Sequence, residues 1–442
     1  MSGGLLREGQ VVLAEKARRS CLIMEMLGGG GQGEVYRAQL GNDLVAVKWY
    51  RDAVASEAQR RALEDLVRRV APSPAFLWPL DTVRVPGTRS FGYVMPIRED
   101  RFVGMVELVR RRVEPPARVV ASIGLGLAEA FLLLHVQGLC YRDISFGNVF
   151  FDPETGDVLV CDNDNVTVDG IASGGILGTP RFMAPEVMRG EARPSSRTDL
   201  FSLAVLFFTM FFVHHPFEGV REYDCNVLDA DALRALCGQA PVFVFDPDDP
   251  SNRPVPGVHQ NVLDLWPLYP AFLRRLFVKA FTDGIRDPVE GRVRESQWRQ
   301  AIARLRDSVL VCDECGGDAE SFWDPTEPWS GAACWRCRAP LAAPPVVAFD
   351  SGAAIVASPG AEVCAHHVAP GRLYDYSTKF GAVVRHPTSP GVVGLRNDSD
   401  WGWVVRGPAG SEQELRPGKS VKLVPGSVVD FGPSQGTVRA GT

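Results

Sequence analysis

The sequence predicts a multidomain α+β chain, and three observations carry that reading. Short apolar runs broken by glycine open the chain, as at Leu27 to Gly33 and Leu44 to Lys48, and read as strand, loop and strand. The middle holds the most apolar stretch, Leu200 to Val213, which reads as a buried helix. After Pro340 to Pro345, a natural linker, the composition turns to short valine-rich runs separated by Gly, Pro, Asn and Asp. A length of 442 residues exceeds what one core usually serves, and 45% apolar residues can fill a large one. The net charge of −6 excludes the basic footprint of a nucleic-acid-binding protein. Met1 to Glu8 has no apolar signal region, and Leu200 to Val213, about 14 residues ending at His214-His215-Pro216, is too short to span a bilayer. A cytoplasmic protein without membrane insertion is expected.

Taken in order, the first element of chemical interest is Leu27-Gly28-Gly29-Gly30-Gly31-Gln32-Gly33-Glu34-Val35. Gly28, Gly30, Gly33 and Val35 fit G-x-G-x-x-G-x-V, a loop that brings backbone amides over nucleotide phosphates without Cβ clashes. A flexible turn carries the same pattern, and a Rossmann turn would need a βαβ unit with an acidic residue about 20 positions on. Here a second strand, Leu44 to Val47, follows instead and delivers Lys48 from an apolar approach, which favours a phosphate-reaching lysine over a surface one. Ser56 to Val70 reads as a helix, with Leu63, Leu66, Val67 and Val70 at helical spacing. It offers Glu64, or else Glu57, as the acidic partner of Lys48.

Tyr141-Arg142-Asp143-Ile144-Ser145-Phe146-Gly147-Asn148 places an Asp and an Asn five positions apart beside an Arg. That spacing suits a loop whose Asp accepts a hydroxyl proton and whose Asn holds Mg²⁺. Val158 to Cys161 reads as a buried strand that delivers Asp162, followed by Asn163 and Asp164. Gly178-Thr179-Pro180-Arg181-Phe182-Met183-Ala184-Pro185-Glu186 comes next, then Asp199 and Arg292.

In this order, the motifs of residues 1 to about 308 resemble those of the eukaryotic-type (Hanks-type) serine/threonine protein kinases of bacteria. The resemblance implies a bilobal protein-kinase fold, with an N-lobe to about 95, a C-lobe over 96–308 and an insertion at about 219–270. It implies ATP between the lobes near Met95 and Ile97, Lys48 on the phosphates, Asp143 as base, and Asn148 and Asp162 on Mg²⁺. Arg142 would meet a phosphorylated activation loop, with Thr167, Ser173 and Thr179 as local acceptors, Arg292 would pair with Glu186, and the substrates would be protein Ser/Thr hydroxyls. Tyr141 stands for the usual His, Ser145 for a Lys, Gln32 for an aromatic, and Asn163-Asp164 for Phe-Gly, adding an acid beside Asp162. None of these departures removes the base, the lysine or a metal ligand, so an active kinase is expected; the competing reading is a nucleotide-binding pseudokinase scaffold.

Cys312, Cys315, Cys334 and Cys337 form two C-x₂-C pairs with 18 residues between them, the spacing of a zinc ribbon over 309–341. Disulfides are disfavoured by the cytoplasmic reading, and rubredoxin-type iron is the minor option. Trp323, Trp329 and Trp335 are expected to pack around the Zn²⁺. Residues 345–442 read as an all-β sandwich from runs such as Trp401 to Val405 and Ser427 to Phe431. Leu395-Arg396-Asn397, Leu415 to Gly418 and Leu423 to Gly432 resemble the last strands of a forkhead-associated (FHA) domain, a phosphothreonine-peptide binder. The S-x-x-H that accompanies the phosphate-binding arginine of that family is not evident, and Gly371-Arg372 is a weak stand-in, so docking or autoregulation is the expected role. Kinase, zinc ribbon and FHA-like sandwich together, with Arg142 to Asn148, Asp162 to Asp164 and Phe245 to Asp248, resemble bacterial kinases associated with tellurite-resistance and stress operons. That resemblance implies a PP2C-type phosphatase and a von Willebrand A-type protein as partners.

Overall fold

Alternating inward and outward side chains close the N-terminal strands into a six-stranded antiparallel barrel. The strands are β1 (Val11–Ala14), β2 (Arg19–Gly29), β3 (Gly33–Leu40), β4 (Asp43–Tyr50), β5 (Asp81–Arg84) and β6 (Phe91–Pro96), in the spatial order β1-β2-β3-β4-β6-β5. Pairing of β1 with β5 closes the ring. This computed structural model describes residues 4–170, 177–315, 319–329, 331–386 and 388–441. Val45, Val47 and Trp49 of β4 pack in one core with Val12, Ile23, Ala38 and Val94. The intervening Ala46 and Tyr50 pack in another with Leu63, Tyr93 and Met95, so the period of two puts Lys48 on the Tyr50 face. In register, Lys48 lies directly opposite Tyr93 of β6.

Helix α1 (Glu57–Arg68) starts where Ser56 accepts the Gln59 N–H, and it carries Glu57 in its first turn and Arg68 in its last, complementing the helix dipole. The helix Ser196–Phe212 opens with a reciprocal Ser195/Thr198 cap, is buried along nearly its whole length, and ends at Val213 in a left-handed conformation. Phe245 to Pro250 forms a turn, with the Asp246 carboxylate accepting the N–H groups of Asp248 and Asp249. Among the described residues one helix, Ala117–Val136, is long and apolar enough to cross a membrane, and half of it is buried inside the protein.

The compact units do not divide at residue 308. One comprises Met1–Glu114, Gly126–Arg253 and Lys279–Glu295; the other comprises Pro115–Leu125, Pro254–Val278 and Ser296–Thr442. The second unit holds a six-stranded sheet (354–356, 346–349, 435–439, 428–430, 403–406 and 412–415 in spatial order) and a four-stranded one (362–364, 379–386, 389–397, 420–422). Both contribute to one apolar core around Trp403, Phe431, Leu395 and Val363.

The reason for the shifted boundary lies at the end of the helix Glu295–Asp307. The Asp307 carboxylate is buried and accepts from His367 Nε2 at 3.2 Å and from the Tyr376 hydroxyl at 2.9 Å. His367 Nδ1 accepts the Cys364 N–H, which fixes the ring. Arg306 donates to Glu362 at 2.9 Å and lies over the Tyr376 ring. Removing these groups from water without their partners is costly, so the helix end and the sheets form one body.

Candidate active site

Lys48 sits at the centre of a buried ionic knot. Its Nζ lies 2.9 and 3.1 Å from the two carboxylate oxygens of Asp164, 3.2 Å from Asp162 Oδ1, and 3.1 Å from Gln32 Oε1 of the glycine loop. Asp164 also accepts the hydroxyls of Tyr50 at 2.7 Å and Tyr93 at 3.0 Å. Burial pushes the Asp164 carboxyl up, but Lys48 and the two hydroxyls outweigh it and hold the group below the usual carboxylate range. Burial likewise pushes the Lys48 ammonium down, and Asp164 and Asp162 more than offset it. Asp162 keeps a net upward shift from burial, despite the nearby ammonium. Its side chain is 38% exposed whereas that of Asp164 is 0% exposed, so only Asp162 has a face open to a ligand.

The expected ion pair between Lys48 and Glu64 does not form. Glu64 is engaged by Arg60 at 3.1 Å and Arg68 at 3.9 Å, one helical turn away on either side. Glu57, the alternative, pairs with Arg61. What α1 does contribute is Gln59, whose amide reaches the Tyr50 hydroxyl at 3.5 Å. The sequence offered two signals for the partner that is present: Tyr50 two positions from Lys48 on the same strand face, and the extra acid two positions beyond Asp162.

The loop bearing Asp143 is suspended from Asp199, whose carboxylate accepts the backbone N–H of Tyr141 and, at 2.9 Å, that of Arg142. Asp199 and Glu295 also hold His135, whose side chain is largely enclosed. Arg142 (φ 75°) and Asp162 (φ 52°) both occupy the left-handed region, a strain of about 1–3 kcal/mol each that the surrounding bonds sustain. Arg142 Nε donates to the Asn165 carbonyl at 2.6 Å, tying the loop to the turn Asn163–Asn165. Asn148 Nδ2 donates to the Asp143 carbonyl at 2.8 Å and to its Oδ2 at 3.3 Å, so the Asn148 amide oxygen is the atom suited to a cation. The Cys161 N–H donates to the Asn148 carbonyl at 2.9 Å and ties Asn148 to the residue before Asp162. The Thr179 hydroxyl, expected among the phosphoacceptors, donates to Asp143 Oδ1 at 2.8 Å. Thr167 lies in a strand paired with Cys140, and Ser173 lies outside the described residues.

An amide oxygen and an open carboxylate are hard donors of the kind Mg²⁺ takes, and Lys48 beside them suits phosphate. The glycine loop fits a nucleotide as well: a Cβ on Gly28 or Gly30 would meet nothing within 4 Å, leaving that backbone open to approach. Gly33 is required for packing, because its Cβ would fall 2.1 Å from the Trp49 carbonyl oxygen. Val35 lies opposite Lys48 in the β3–β4 register, and Met95, opposite Ala46, and Pro96 end β6 just before Ile97. Glu186 and Arg292 form a buried pair, with Arg292 Nη2 2.8 Å from both carboxylate oxygens.

In the second unit the four motif cysteines converge. Their sulfurs lie within 4.8 Å of one another, with Cys312 and Cys337 3.7 Å apart and Cys315 and Cys334 also 3.7 Å apart. A tetrahedron with metal–sulfur bonds of about 2.3 Å has edges of about 3.8 Å, whereas a disulfide needs about 2 Å. The donor set therefore fits zinc. Trp323 and Trp329 pack edge to face nearby, but Trp335 is exposed and donates to the Glu320 carbonyl instead of packing as expected.

A β-barrel carrying the glycine loop and lysine, together with a loop carrying Asp143 and Asn148, defines the class of protein-kinase phosphotransferases. The family model described as "Protein kinase domain" matches residues 22–256, more than half of the chain, which thus belongs to the protein kinase family. The chain is similar to serine/threonine-protein kinase PknK of Mycobacterium tuberculosis, at 32% identity over 206 residues, 44% of this chain and 18% of that protein. It is also similar to the DNA damage-responsive serine/threonine-protein kinase RqkA of Deinococcus radiodurans (29% over 207 residues, 45% of this chain and 30% of that one). Serine/threonine-protein kinase AfsK of Streptomyces coelicolor matches at 27% over 225 residues, 45% of this chain and 25% of that one. The chain spans less than a third of the length of these relatives.

Proposed function

We propose that this protein transfers the γ-phosphoryl group of ATP, with Mg²⁺, to serine or threonine hydroxyls of protein substrates. One observation carries the reading: Lys48, Asp143, Asn148 and Asp162, drawn from three separate segments, are joined by direct bonds and by the Cys161–Asn148 link. Lys48 would hold phosphate oxygens, Asn148 and Asp162 would hold Mg²⁺, and Asp143 would take the hydroxyl proton. Bound Mg²⁺ supplies neutralisation of the charge on the transferring group. The hydrogen bond from Thr179 supports Asp143 as base, since a hydroxyl already donates to it at normal length. Ser145, buried where a lysine is usual, favours the second reading, a nucleotide-binding scaffold.

The cysteine cluster is a structural Zn²⁺ site, and the C-terminal sheets act as an FHA-like docking or regulatory sandwich. Protein substrates, a PP2C-type phosphatase and a von Willebrand A-type protein are its partners, in the cytoplasm. The test is Mg²⁺-dependent phosphorylation with labelled ATP, beside Asp143→Asn, on protein analysed for metal. Label on Ser or Thr that falls by about 10²–10⁴-fold in the variant supports the kinase. Nucleotide binding without Asp143-dependent label establishes the scaffold, and a preparation without zinc overturns the Cys₄ assignment.

A further inference from the structure

We propose that Asp164, clamped by Tyr50 and Tyr93, is the residue that positions Lys48 for the nucleotide, and that this placement does not depend on an acidic residue of helix α1. The inference rests on the kinase reading and deepens it. A lysine on a strand beside phosphates needs a carboxylate to orient its ammonium; where a helix provides that carboxylate, movement of the helix switches the site.

In this chain both carboxylates bonded to Lys48 come from one turn, Asp162 and Asp164. Asp164 meets the ammonium with both oxygens and is itself fixed by two hydroxyls from adjacent strands. Tyr50 shares the β4 face with Lys48, and Tyr93 lies opposite Lys48 across the β4–β6 ladder. The three side chains around Asp164 are therefore carried on barrel backbone, and what α1 adds is the neutral amide of Gln59 at the Tyr50 hydroxyl. Asp164 is wholly buried, whereas Asp162 is open, which divides the labour: Asp164 orients the lysine and Asp162 remains for the cation. Glu64, bound by its own helix neighbours, has no part in it.

The test uses the full chain with Asp164→Asn, the pair Tyr50→Phe and Tyr93→Phe, and Glu64→Ala, each checked for folding by circular dichroism. Two readouts are taken: the split between kcat and KM for ATP, and the acylation rate of Lys48 without nucleotide, followed by mass spectrometry across pH. Asp164→Asn is expected to lower kcat by about 10²-fold, as removal of one preorganised electrostatic group does, and to make Lys48 acylate several-fold faster at a given pH. The tyrosine pair shifts both readouts in the same direction by less, and Glu64→Ala changes neither by more than about twofold, as for a half-exposed helix ion pair. Wild-type Lys48 reactivity in Asp164→Asn, or in the tyrosine pair if that variant alone folds, overturns the proposal; so does a loss of kcat in Glu64→Ala equal to that in Asp164→Asn. If the wild-type chain transfers no phosphate, the kinase reading fails, and the acylation profile still decides whether Asp164 positions the lysine.

Discussion

Asp164 in the barrel unit and Asp307 in the sheet unit are both buried carboxylates that accept a tyrosine hydroxyl and a nitrogen donor. In both, burial pushes the carboxyl up and the surrounding donors bring it below the usual range. Their settings differ in one respect. The knot around Asp164 borders Asp162, which is open, while Asp307 is enclosed by His367, Tyr376 and Arg306, all buried. The same chemistry thus aims a reactive group where one side is open and joins a helix to a sheet where none is. Burial of a charge does not by itself say which.

The largest effect expected from breaking this comparison is on stability. Asp307→Ala leaves the His367 and Tyr376 donors unpaired in the interior, a cost of about 3–5 kcal/mol measured by urea unfolding. Phosphoryl transfer at a temperature where the variant stays folded should remain within about twofold. A kcat that collapses while stability holds would erase the distinction between the two knots.

A third knot sharpens it through pH. His135, held by Asp199 and Glu295, is lowered by burial but raised more by those carboxylates, to about 9. Its folded value lies above the ordinary value of about 6.5, so its contribution is fully present below about 6.5 and is lost as pH rises through about 9. The size is at most about 3 kcal/mol, and His135→Gln should flatten that alkaline limb in thermal melts taken across pH. The Asp164 and Asp307 knots run the other way: both carboxyls are depressed, so their contributions are lost as pH falls through the folded values. Tyr376→Phe gives the smallest effect, about 1 kcal/mol, because one donor is lost and His367 still serves Asp307.

Part of the candidate site was legible because the residues that the structure brings together, Lys48 with Asp162 and Asp143 with Asn148, lie in motifs of fixed spacing. The Asp143–Asn148 loop, the Lys48 strand and the C-x₂-C pairs could each be found from chain position alone. The acidic partner of Lys48 could not. It is chosen by which faces of β4 and β6 look toward the turn after Asp162, whereas Glu64 answered only to position along a helix. Two arginines one turn from Glu64 hold it to its own helix, and that competition is local, so Arg60 and Arg68 were the readable warning. The compact units differ from a division near residue 308 for another reason. The kinase motifs end near Arg292 and the cysteine pairs begin at Cys312, but the helix end at Arg306 and Asp307 is bonded to residues more than fifty positions later.

Asp162 and Asp164 share a single three-residue step of backbone, and this sets how many states the site can occupy. If a lysine's anchor and a cation's ligand ride on separate elements, each can be in place or withdrawn independently, which gives four combinations, two of them half-assembled. Here one displacement of one turn would take away both the Asp164 anchor of Lys48 and the open carboxylate of Asp162, so only assembled and dismantled remain. A regulator of such a site needs to bias a single equilibrium, and its effect on nucleotide binding and on lysine placement would then be the same number.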